Sequence, residues 1–86
     1  MNTKRFELAE KLLLYLKDKG VEDPDLDIYI SIIRGSPEDL NKAIVAGGNL
    51  NGTATEIIIR HQHHFKGVGN PTGHTFAEFM IESHKR

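Results

Sequence analysis

The sequence predicts an all-α protein, a compact single domain of about five short helices spanning residues 1–86. Three observations carry that expectation. Apolar side chains recur at three- and four-residue spacing in successive segments. Capping residues followed by Pro or acids open several of those segments. Glycine follows the last apolar position of most of them.

The first helix runs from Thr3 or Lys4 to about Lys19, with Phe6, Ala9, Leu12, Leu13 and Leu16 on one face and Gly20 as its stop. Asp23-Pro24 then opens a second, almost wholly apolar helix, DLDIYISIIR, which ends at Gly35. Ser36-Pro37-Glu38-Asp39 is the start signal of a third helix, which turns Leu40, Ala43, Ile44 and Val45 inward and stops at Gly47-Gly48. Thr53-Ala54-Thr55-Glu56 reads as a capping box opening a fourth helix to about His64. The β-branched run TATEIIIR leaves residues 54–64 with strand as the alternative, since three adjacent isoleucines have no readable period. Thr75-Phe76-Ala77-Glu78 is a second capping box, opening a last helix with Phe76, Phe79 and Met80 on one side.

Composition narrows the functional classes. With 86 residues, 38% hydrophobic and 27% charged, the chain has one small core and no disordered tract. It has no cysteine, so neither a disulfide nor a thiolate metal site braces it. Self-association is the remaining way for so small a domain to gain buried area, which points to a homo-oligomer. Charged residues interrupt the apolar positions of MNTKRFELAEKLLLYLKDKG, so no signal peptide or membrane span is expected, and the cytoplasm is the expected location. A net charge of −1, from 11 basic and 12 acidic residues, disfavours nucleic acid as a partner; the only local basic excess is at Lys4-Arg5, at Lys85-Arg86 and near the histidines.

At GSPEDLNKAIVAGGNLNG, residues 35–52, the sequence resembles the second half of an ankyrin repeat: a Gly, a short capped helix, Gly-Gly, and an Asn-apolar-Asn tail. LDIYISIIR stands in the place of the repeat's first helix, with Ser31 where the family places a small residue, so the resemblance is best over residues 26–52. GHTFAEFMIES resembles the opening of a further repeat, and ELAEKLLLYLKDKGV another second helix. The chain departs from the family in spacing, about 28 residues between its two similar halves against 33, and residues 26–29 are Leu-Asp-Ile-Tyr where the Thr-Pro-Leu-His tetrad would stand. What the resemblance implies is a protein-interaction module.

The segment RHQHHFKGVGNPTGHT, residues 60–75, carries the other candidates. His61 and His64 are three apart, sharing a helix face, and His63 adds a third imidazole, a donor set that suits zinc. No HExxH pattern accompanies them. Arg60, Lys66, Gly69, Asn70, Gly73, His74 and Thr75 form a candidate anion site at a helix N-terminus, suited to a nucleotide or another anionic small molecule, although neither the P-loop nor the dinucleotide spacing is met. The plainer reading makes these glycines turn residues and Thr75 a cap. Asp23, Asp25 and Asp27 alternate without the Gly and Glu of a calcium loop and read as a solvated turn.

The function expected is therefore non-enzymatic binding of a protein partner, in the manner of the small helical accessory proteins of phage and bacteria that inhibit a target. No nucleophile is arranged for catalysis, and no cofactor is expected beyond the zinc alternative. The second reading is a sequestering or sensing protein for the anionic ligand at 60–75. The third is a helix-turn-helix over residues 36–64, with Thr55, Arg60, Gln62 and His63 facing nucleic acid.

Overall fold

A computed structural model of the chain describes residues 3–67, 69 and 71–84. Among them are helices α1 (Thr3–Asp18), α2 (Pro24–Arg34), α3 (Pro37–Val45), α4 (Ala54–Arg60) and α5 (Thr72–His84), with a 3-10 turn at Gln62–His64 and no strand. The protein is all-α, as its periodicity predicts. The strand alternative for residues 54–64 is overturned. Thr53 accepts the Glu56 N–H at 3.2 Å, and Ile57 and Ile58 are both buried while Ile59 faces solvent, so the isoleucine run sits on a helix.

Helix α1 is the centre. Leu8, Ala9, Leu12, Leu13 and Leu16 are buried along it. Phe6, expected on this face, is 73% exposed instead. It lies at the Leu13 edge of the stripe, about 100° round the helix from the centre set by Leu12 and Leu16, whereas Leu8 lies about 60° from that centre. Helix α5 packs along α1 in the opposite direction. Lys4 lies 3.6 Å from Glu78, and the Arg5 guanidinium donates to Ser83 at 3.2 Å and sits 5.6 Å from the centre of the Phe79 ring. A further Arg5 N–H donates to Thr55 of α4, so one side chain of α1 reaches both α4 and α5. Phe65, just past the 3-10 turn, is buried with its ring stacked on Phe76 at 5.1 Å and tilted against Tyr15 at 5.8 Å.

Helix α5 starts four residues earlier than the capping box predicts, at Thr72 rather than Phe76. Thr75 lies within its first turns, the hydroxyl donating to the Pro71 carbonyl at 2.9 Å, and the helix begins directly after Pro71, whose missing N–H is harmless there.

Helices α2 and α3 form an antiparallel pair joined at Gly35, whose φ of 66° closes α2 with a left-handed residue. Ser36 caps α3 through the Asp39 N–H. The connection from α3 to α4 is tied back to α2: the Asn49 N–H donates to Asp25 at 2.7 Å, and the Tyr29 hydroxyl donates to the Gly52 carbonyl at 2.7 Å. Of the four residues expected to point inward from α3, Ala43 is buried, Leu40 is half-buried, and Ile44 and Val45 are 39% and 88% exposed. The reason is that α3 packs substantially on α2 alone.

The end of that pair depends on Gly48. A Cβ there would lie 2.6 Å from Ile28 Cδ1 and 2.9 Å from the carbonyl oxygens of both Ala43 and Pro24. Gly48→Ala is therefore expected to lower unfolding free energy by about 1–3 kcal/mol through forced separation of α3 from α2. Gly52→Ala, which meets only the Asn49 oxygen at 3.4 Å, serves as the mild control, and urea denaturation midpoints compare the two.

Candidate functional site

One polar cluster among the described residues is centred on Asp23. Its carboxylate caps α2 by accepting the Asp25 N–H at 3.0 Å. The same carboxylate accepts from Arg60 Nη1 at 2.9 Å and from His61 Nε2 at 2.8 Å. Arg60 also reaches Asp25 at 3.2 Å. The three aspartates are not a solvated turn, which corrects the sequence reading: Asp23 is buried, Asp25 holds Arg60 and Asn49, and Asp27 pairs with Lys17 at 2.7 Å. Partners 35–38 residues away in sequence convert a turn into a clamp between the start of α2 and the end of α4.

Burial pushes the Asp23 carboxyl up, but the bonds from His61, the Asp25 amide and Arg60 outweigh it and hold it below its ordinary value of 3.8. His61 therefore donates its Nε2 proton to a carboxylate, which orients the imidazole. Its ring neighbours are other imidazoles, with centroids 6.4 Å away for His63 and 6.1 Å for His64, and His63 and His64 are 4.2 Å apart. Burial, then the charges of His63, His61 and Lys19, hold His64 below its ordinary 6.5.

The structure divides the 60–75 segment. Arg60 and His61 turn towards α2, whereas His74 pairs within α5, its Nδ1 lying 2.8 Å from Glu78, and Thr75 donates to Pro71. Lys66 and Gly69 are exposed, and the Gly73 N–H donates to the Gly69 carbonyl at 3.4 Å. Asn70, as well as the basic end Lys85-Arg86, lies outside the described residues. Among the described residues, no three His, Asp or Glu side chains converge in a group that could hold a metal ion, His61, His63 and His64 included. No described helix is long and apolar enough to cross a membrane.

Two open grooves flank α1. One, of about 430 Å³, lies between Lys17 and the α2–α3 pair, with Asp27, Arg34, Asp39 and Lys42 on its walls. The other, of about 590 Å³, runs between Lys11, Tyr15 and Asp18 of α1, Arg34, and Thr72 and Thr75 of α5. Both are open and mix charge signs on their walls, unlike the enclosed lining of a small-molecule site.

The remaining feature is apolar. Ile32 (59% exposed), Ile44, Val45 and Leu50 (60% exposed) all belong to the α2–α3 pair and the turn after it. Helical spacing places Leu40 and Ile44 together on α3, rotated away from the Asp39, Lys42 and Ala46 wall that faces α1. Ile44 and Val45 share the periodicity of an inward face, but α3 lacks a second neighbour to cover them.

No family model, no curated protein and no solved structure matches this chain.

Two outcomes test the Asp23 clamp. Asp23→Asn keeps a capping oxygen but removes the charge, and is expected to cost about 1–2 kcal/mol at neutral pH, Arg60 being half in water. Because the folded state lowers the Asp23 pKa, its contribution is present above 3.8 and fades as pH falls below it; the acid limb of the melting profile should flatten in the variant. His64 contributes in a separate window. Its lowered pKa means the unfolded chain takes up the proton first, so stability falls as pH drops below 6.5. In His64→Gln the melting temperature should change less between neutral pH and pH ~5 than in the parent.

Proposed function

We propose that this protein is a non-enzymatic, cytoplasmic protein-interaction module that binds a protein partner through the outer face of the α2–α3 pair. The observation that carries the reading is the set of large apolar side chains on an edge helix pair: Val45 at 88% exposed, Leu50 at 60%, Ile32 at 59% and Ile44 at 39%. Single exposed apolar residues are ordinary on a soluble surface; a group of them on one helix pair and the turn after it supports a contact surface. The resemblance of residues 26–52 to an ankyrin helix pair supports the same reading, since stacked helix pairs leave such a face wherever the stack stops.

The other readings have less support. Arg60 and Thr55, which a helix-turn-helix would need for nucleic acid, hold Asp23, Asp25 and Arg5 instead. An anion at 60–75 would compete with Asp23 for Arg60 and with Glu78 for His74.

The test uses Ile44→Glu with Val45→Glu. Both side chains point outward, so the far-UV circular dichroism and melting temperature are expected to stay close to those of the parent, surface changes of this kind costing within about 0.5 kcal/mol each. Binding to a protein partner recovered by affinity capture should then drop by at least tenfold, about 1.4 kcal/mol. Equal capture by the folded variant would overturn the assignment of the face.

A further inference from the structure

We propose that a second copy of the chain docks at the Val45 edge of this face, along the exposed α3 stripe of Glu38, Asn41, Lys42 and Val45, α3 against α3 in antiparallel fashion about a two-fold axis near Asn41. The inference rests on the protein-interaction reading and names its partner. The residues of α3 are self-complementary in that arrangement. Glu38 and Asp39 stand at its start, Lys42 in its second half and Val45 at its end. Glu38, Asn41, Lys42 and Val45 recur at three- and four-residue spacing, and all four are exposed. A two-fold axis at Asn41 sets each Lys42 about two residues, or about 3 Å, along the helix from the partner's Glu38. Val45 then lies over the partner's Pro37, also exposed, and the two helix dipoles oppose each other favourably. A parallel pairing would instead set acid beside acid and lysine beside lysine.

Area sets the strength. A stable interface buries about 800 Å² per partner. Nine residues of α3, about 14 Å long, offer less than that. The dimer is thus a weak one, formed reversibly as concentration rises.

Sedimentation equilibrium of the whole chain, from micromolar to millimolar concentration, is the experiment. The mass is expected to climb from 9.7 kDa towards twice that value. Val45→Glu should hold it at the monomer value while the circular dichroism shows the fold intact. Glu38→Lys and Lys42→Glu should each weaken dimerisation about tenfold, because the two-fold axis counts each change twice. The double charge swap should restore it, which a merely structural effect of either residue would not do. A dimer indifferent to Val45→Glu, or single changes that the double swap does not rescue, overturns the antiparallel α3 contact. A monomer at every concentration also overturns it. In that last case, loss of a different captured protein on Ile44→Glu with Val45→Glu would leave the interaction reading standing, and unchanged capture would remove both.

Discussion

The fold depends on one constraint: a single apolar stripe, along α1, has to serve almost every other element. Leu8, Ala9, Leu12, Leu13 and Leu16 meet α5 on one side and α2 and α4 on the others. A chain of 86 residues has no second stripe of that length. The 3-10 turn after α4 drops Phe65 into the space left between Tyr15 and Phe76, completing the core around α1. What remains for α3 is α2 alone, held by Ala43 and by the close approach of Gly48. The exposed side chains of α3 and the weak association proposed for it are therefore consequences of how the core is shared.

Polar contacts do what the small core cannot. Asp23 caps α2, receives Arg60 and His61 from α4, and stands beside Asp25, which receives Asn49 from the intervening turn. Such a clamp costs desolvation and returns it only when every partner is present. It also explains why the histidines follow α4: one of them is bonded into the clamp, and the other two ride on the turn that carries Phe65 inward.

What the sequence made legible was local. Caps at Asp23, Ser36 and Thr53 and the stop at Gly35 announce helix ends because each bond they make spans only a few residues. The all-α class followed from them. Inward faces were legible where a helix takes part in the core around α1, as for Leu12, Leu13 and Leu16 of α1 itself and Phe76, Phe79 and Met80 of α5. On α3 the same periodicity misleads, since periodicity shows which side chains share a face and not whether anything covers it. The start of α5 was misplaced because a Thr three residues before a Glu looks like a cap wherever it falls, and here the hydroxyl bonds backwards to Pro71. The Asp23 clamp was not legible at all. Its partners lie 37 and 38 residues away, and no spacing rule connects them.

Arg5 joins the beginning of the chain to its last helix, touching Ser83 and Phe79, and Lys4 approaches Glu78 and Glu82. The first and last turns of the fold are therefore fastened to each other. Fraying, which in most small domains starts independently at each end, becomes here one coupled event: loosening the first turn of α1 takes the last turns of α5 with it.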